Sequence, residues 1–262
     1  MVWWVVCSAL LLASPRPSVR PPAFVAVVDP GHGGEKEGAA SADGLLEKDV
    51  TLQIARRLKA RLERMGGKVV LTRSVDATVP LASRAALANA ERADLFVSIH
   101  LNATPAQARS RVRGVETYFL SADATDSSAT AVAARENADR LAGEPPMDAA
   151  DPVAGILASL EDSANLQESS RLAYAIHERV AGPAVEDRGV KQAPFYVLAG
   201  ARMPAVLVEV GFLSHPEEAR QLRGAAHQER IARGIAEGIA AWRAAALRAD
   251  AGQGATTARS GP

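Results

Sequence analysis

One cysteine, Cys7, occurs in 262 residues, and a lone thiol builds neither an intrachain disulfide nor a thiolate zinc cluster. An excess of charge is also missing, since 30 basic residues are matched by 30 acidic ones. A zero net charge argues against an electrostatic nucleic-acid binder. The apolar run at residues 2–13 (VWWVVCSALLLA), about 12 residues against the ~20 that a spanning helix requires, predicts no transmembrane span. No internal repeat is visible. What remains is ordinary globular composition, 48% apolar and 23% charged. Any metal must be held by imidazole and carboxylate, and with five histidines each placement can be followed.

The two ends differ from the middle. Residues 2–13 read as the apolar region of an export signal, although no Lys or Arg precedes them, and Cys7 within them reads as a small hydrophobe. Residues 14–23 (SPRPSVRPPA) form a Pro-rich linker, so residues 1–23 are a signal-like segment plus linker. From Ala249 to Pro262 almost no large apolar side chain occurs, which predicts a disordered tail. The folded domain is expected over residues 24–248.

Within it, β-rich runs alternate with amphipathic helical ones, as a parallel α/β sheet requires. Strands are expected at Phe24–Val28, Val69–Thr72, Leu95–Ile99, Gly114–Leu120, Phe195–Leu198 and Ala205–Val210. Helices are expected at Asp49–Met65, where Val50, Ile54, Leu58 and Leu62 share a face, and at Leu81–Glu91, Leu166–Val180 and Glu229–Leu247. Residues 121–163 break the rhythm, far exceeding the usual connection of ~4–6 residues. Helical patterns lie inside them at Ala131–Leu141 and Val153–Leu160.

In open α/β sheets ligands collect beyond the carboxyl ends of the strands. The first strand runs into Asp29-Pro30-Gly31-His32-Gly33-Gly34, which places His32 just past its end, and Glu47 sits at the entrance to the following helix. The third strand leads to His100-Leu101-Asn102, and Ala205–Val208 delivers Glu209. Two His and two Glu are the inventory of a mononuclear zinc hydrolase: three ligands with an open position, and one further carboxylate to move a proton. A lone His after a strand is more often a cap, and a lone Glu before a helix more often serves the helix dipole. Glu209 resists that explanation, because a carboxylate emerging from Val-Leu-Val is costly to bury without a function. Spacing alone leaves open which glutamate is ligand and which is base. His177, His215 and His227 read as structural or surface residues.

The segments VVDPGHGG, GLLEKDVTLQIARRL, LTRS, LASRAALANAERADLFVSIHLNA, GVETYFL, NLQESSRLA, RGVKQAPFYVL and MPAVLVEVGFLSHPEEA, in this order, resemble the zinc-dependent N-acetylmuramoyl-L-alanine amidases, bacterial cell-wall hydrolases. The resemblance runs from about Val25 to Ala245. It implies an α/β fold in one three-layer domain, with a mixed, mostly parallel sheet flanked by helices. The implied reaction is zinc-dependent hydrolysis of the amide joining N-acetylmuramic acid to L-alanine of peptidoglycan, in the periplasm or outside the cell. It implies His32, Glu47 and His100 as zinc ligands, Glu209 as the catalytic carboxylate, and Asn102 as a residue positioning its loop or the substrate.

The long insertion gains a meaning from the same resemblance. Ala134-Arg135-Glu136-Asn137-Ala138-Asp139 is similar to a helix that members acting in daughter-cell separation fold over the site, its glutamate filling the open zinc position until an activator protein displaces it. Glu136 would be that regulatory residue. The loop Glu35–Asp43 is more charged than is common in the family, and His215 replaces a frequent Asn, which leaves the stem-peptide preference open. Two other readings share the metal: a non-catalytic zinc module that binds peptidoglycan, and a zinc peptidase cutting elsewhere on the stem peptide. Glu209 argues against the first, since a binder needs no buried carboxylate opposite an open site.

Overall fold

Strands with buried residues on both faces make the centre of the molecule. In the computed structural model, which describes residues 23–105, 108, 111–144, 163–183 and 185–257, β1 (Phe24–Pro30), β2 (Gly67–Leu71), β3 (Leu95–Asn102), β4 (Val115–Leu120), β5 (Asp187–Ala193) and β6 (Ala205–Phe212) form one sheet. Its order is β2-β1-β3-β6-β4-β5. The pairings are parallel except β4 with β6, so the sheet is mixed and mostly parallel. Side chains alternate across it. Ala26, Val28, Val97, Ile99, Val206 and Val208 enter one core, and Val27, Phe96 and Leu207 enter the other.

Helices α1 (Glu47–Arg64), α4 (Ser163–Ala181) and α6 (Ala225–Thr257) pack on the first core through Val50, Ile54, Leu58, Leu62, Leu172, Ile176, Ile235 and Ile239. The second core is closed by α2 (Leu81–Ala90), α3 (Ser127–Asn137) and a 3-10 turn at Tyr196–Leu198. A short α5 (Pro216–Leu222) is capped by His215, whose side chain accepts from the Glu218 amide. The result is a three-layer α/β domain.

Several elements differ from the sequence expectation. Phe195–Leu198 is no strand: Phe195 leads into a buried 3-10 turn, because four apolar residues specify burial but not extension. The strand next to it is Asp187–Ala193, a polar edge strand with half-buried residues and no apolar alternation to announce it. Helix α3 starts at Ser127, four residues ahead of Ala131, because Asp126 accepts from the Ala129 amide as an N-cap. Helix α6 begins at Ala225 and continues to Thr257, past the expected boundary at residue 248; once a helix exists, each added residue gains a hydrogen bond without a new nucleation cost. Residues 1–22, the pattern at Val153–Leu160 and residues 258–262 lie outside the described residues.

Candidate active site

Four buried side chains from separate elements meet beyond the sheet: His32 after β1, Glu47 as the first residue of α1, His100 near the end of β3, and Glu136 in the last turn of α3. One ligand atom from each lies within 4.8 Å of all the others. His100 lies inside β3 rather than beyond it, ahead of an irregularity between His100 and Asn102 that bends the strand end.

His32 adopts φ +59°, a left-handed conformation that a side chain bearing Cβ resists. Two buried arginines hold the loop there. Arg84 donates to the carbonyls of Pro30 and His32, each at 3.0 Å, and pairs with buried Asp29 at 2.7 Å. Arg73 donates to the carbonyls of Pro30 at 3.0 Å and Gly31 at 2.8 Å. Gly31 permits the loop to run against the second imidazole, since a Cβ there would lie 2.5 Å from His100 Cε1. Glu47 is fixed by the amides of Ala39 and Leu101 at 2.7 and 2.8 Å.

Distances among the four are short. His32 Nε2 lies 2.9 Å from Glu47 Oε1 and 3.3 Å from Glu136 Oε2, and His100 Nδ1 lies 3.2 and 2.8 Å from the same two oxygens. Yet His32 Nε2, His100 Nδ1 and Glu136 Oε2 are buried without a hydrogen bond. Donors this close that do not bond one another are arranged around a shared point, as ligands are around an ion. Imidazole nitrogens and carboxylate oxygens are the donor types that zinc accepts. Burial alone would push both imidazoles down in pKa. The carboxylates outweigh it: Glu136 and Glu47 hold His100 up at about 9, and Glu47 with Asp139 holds His32 well above its usual value.

Glu209 belongs to β6 and pairs in register with His100 on one side and Glu116 on the other. It is fully buried; Arg135 reaches Oε1 at 3.4 Å, and Oε2 has no partner. Burial, with the charge of Glu136 added, raises its carboxyl well above the usual range, and Arg135 opposes the rise. Such a group is built to accept a proton. The contrast is Glu116, equally buried, whose oxygens take hydrogen bonds from Asn102, Tyr118, Arg188 and Lys191. Asn102 is tied up as well: its Nδ2 donates to Glu116 at 2.7 Å and its Oδ1 accepts from the Ala103 amide, so it braces the loop after His100.

Glu136 is 3% exposed at the carboxyl end of α3, where the helix dipole disfavours a negative charge. Its neighbour Arg135 bridges Glu136 Oε1 at 3.0 Å, Glu209 and the carbonyl of Ala103. Asp139, just past α3, lies 2.5 Å from His32 Nδ1. The remaining histidines stand apart from this cluster: His177 bridges Thr117 and Asp187, His215 caps α5, and His227 lies against Arg230, where burial, with the Arg230 charge added, lowers its pKa to about 4. Residues that sequence reasoning passed over are Arg73, Arg84, Glu116, Arg135 and Asp139. Each lies in a motif quoted above, and Glu116, a carboxylate in an apolar strand, carried the same signal as Glu209.

Known proteins share this arrangement of chain. The profile described as N-acetylmuramoyl-L-alanine amidase matches residues 26–241. N-acetylmuramoyl-L-alanine amidase AmiC of Neisseria meningitidis serogroup B is 38% identical over 82% of this chain, which covers 51% of that protein. The chain spans about half the length of the AmiC relatives it matches. Among solved structures, amidase AmiC2 of Nostoc punctiforme superposes with a TM-score of 0.63 at 30% identity, covering 84% of this chain and 96% of that one. The CwlD amidase of Clostridioides difficile, solved in complex with the GerS lipoprotein, gives a TM-score of 0.63 at 27% identity, over 85% of this chain and 99% of that one. With the profile spanning most of the domain and the buried His/Glu cluster inside it, the chain belongs to the N-acetylmuramoyl-L-alanine amidase family.

Proposed function

We propose that this chain hydrolyses the amide between N-acetylmuramic acid and L-alanine in peptidoglycan, using zinc, and that the closed arrangement described above is an autoinhibited one. The observation that carries the reading is the pair of features side by side: orphaned His and Glu donors around one point, and a buried Glu209 whose Oε2 has no partner. His32, Glu47 and His100 would hold the ion, with Glu136 as a fourth ligand while α3 is docked. Zinc supplies Lewis acidity, polarising a carbonyl and making water a better nucleophile at neutral pH.

The chain's own residues do the rest. Glu209 Oε2 takes the proton of the attacking water and returns it to the departing amide nitrogen, a transfer suited to a carboxylate whose proton affinity burial has raised. Asn102 and Glu116 keep the loop after His100 in place. Docked α3 blocks both functions, with Glu136 at the metal ligands and Arg135 on Glu209. Activation then requires a protein that draws residues 121–163 away; the GerS complex of CwlD supports a protein partner in this role. The substrate and the N-terminal apolar run support a periplasmic or secreted location. Among the described residues no helix is long and apolar enough to cross a membrane.

Metal analysis and mass spectrometry of digested sacculi test the chemistry. Intact stem peptides freed from glycan chains, lost on chelation and in Glu209→Gln, are the expected result. Soluble peptides that keep muramic acid would overturn the amidase in favour of a peptidase, and zinc binding without any product would favour a binding module. For autoinhibition, Glu136→Ala and a chain with residues 121–163 shortened should both exceed the wild type without an activator. Equal activity in all three would remove the regulatory part.

A further inference from the structure

We propose that Asp139 is a positioning residue for the metal site, and that metal affinity therefore depends on whether the α3 segment is docked. This rests on the closed reading above and extends it from the open coordination position to the ligand set itself. His32 turns Nε2 toward the meeting point of the four donors, while Nδ1 faces away and lies 2.5 Å from Asp139 Oδ2. A ligating imidazole needs its lone pair on the inner nitrogen and its proton on the outer one. A carboxylate on the outer nitrogen fixes that tautomer, fixes the ring plane and makes the inner nitrogen a stronger donor.

Such a carboxylate commonly belongs to the rigid frame of the protein. Here the frame holds the loop backbone, with Arg73 on the Gly31 carbonyl and Arg84 on that of His32. The outer partner comes from the insertion, and the Asp139 amide continues the last turn of α3 by donating to the Glu136 carbonyl at 3.2 Å. Asp139 is bound to the domain body through His32 and, at 4.0 Å, Lys36. Withdrawal of α3 therefore removes Glu136 from the ion and Asp139 from His32 together. Linkage makes the effect reciprocal: a segment that tightens metal binding is itself held down by the metal by the same factor.

The experiment uses the full chain as wild type, Asp139→Asn and Asp139→Ala. Zinc affinity is measured by competition with a chromophoric chelator, and amide hydrogen exchange of α3 is followed with and without zinc. Asp139 is partly exposed and contributes nothing to either core, so the variants should fold. Asp139→Ala should bind zinc about 10–100-fold more weakly. Asp139→Asn should lose less, because its amide oxygen still accepts the Nδ1 proton. Zinc should slow exchange in α3 of the wild type, and do so less in Asp139→Ala. Zinc affinity of Asp139→Ala within twofold of the wild type, with α3 still protected by zinc, would overturn the role of Asp139 alone. If zinc leaves α3 exchange unchanged in the wild type, the closed reading fails, and the coupling with it.

Discussion

Replacing Arg84 by Met tests the idea that the left-handed His32 loop is held by buried charge. The side chains of Arg84 and Asp29 are 2% and 0% exposed and lie 2.7 Å apart. Removing one member of such a pair strands the other and costs about 3–5 kcal/mol. Asp29 keeps hydrogen bonds from Ser98 and Thr72, which places the expectation at the lower end, but the carbonyls of Pro30 and His32 also lose donors. At about 2–4 °C per kcal/mol for a domain of this size, Tm should fall by roughly 6–20 °C. Arg84 depresses the pKa of Asp29 against the opposing effect of burial. The pair's contribution is therefore present above the unfolded value of 3.8 and lost as pH falls through the lowered one. The deficit of the variant should shrink below about pH 4. Asp29→Asn added to Arg84→Met should recover part of the loss, because no buried charge is then unpaired. Calorimetric melts from pH 3 to 8 provide the assay. A fall in Tm below about 3 °C, or a double variant as unstable as the two single losses summed, would refute the reasoning.

Other expectations use the same site. Glu209→Gln should lose at least about 10²-fold in rate, yet melt no lower than the wild type when chelator is present. Ionised Glu209 is unfavourable in the fold, so stability is lost as pH rises through its raised pKa, and an uncharged isostere escapes this; a lower Tm at pH 8 would contradict it. Gly31→Ala places a methyl 2.5 Å from His100 Cε1, and zinc retained after dialysis should drop sharply while stability falls by an overpacking cost of about 1–3 kcal/mol. Metal-free His100 holds its proton up to about pH 9 and His32 above its usual range. Zinc uptake at pH 7 should therefore release protons, and affinity should rise with pH until about 9. Titration calorimetry in buffers of different ionisation enthalpy reads this directly, and identical heats in all of them would refute it.

Much of the sheet was legible because its inner strands carry apolar residues on both faces: FVAVV, LFVSI and AVLV admit few other placements. β5 was not, since DRGVKQA lies at the sheet edge, where side chains need not alternate between two cores. His32 and His100 could be singled out from strand ends and Glu47 from a helix entrance, and the structure brings them together with Glu136. Glu136 became visible only through resemblance, because its burial depends on α3 folding back across the sheet, a contact between distant parts of the chain. Arg73, Arg84 and Asp139 were hidden for a different reason. An arginine in a helix such as LASRAALANA reads as its solvent face until the carbonyls it binds are known.

Three departures from local rules converge on this site. His32 takes a left-handed backbone, Glu136 puts a buried charge at the wrong end of a helix, and Glu209 buries a carboxylate in the middle of a strand. A broken rule is insufficient as a marker, because Glu116 breaks the same one as Glu209 on the neighbouring strand. What separates them is satisfaction. Glu116 has its oxygens bonded from four side chains, Asn102, Tyr118, Arg188 and Lys191, whereas Glu209 keeps an oxygen with no partner. A buried polar atom left unpaired costs about 1–3 kcal/mol. The fold tolerates that cost at His32, His100, Glu136 and Glu209 together, in one place, where an ion and a proton in flight would be the missing partners. Burial alone does not distinguish Glu209 from Glu116; the unpaired oxygen does, and it is what supports Glu209 over Glu116 as the proton carrier of the proposed reaction.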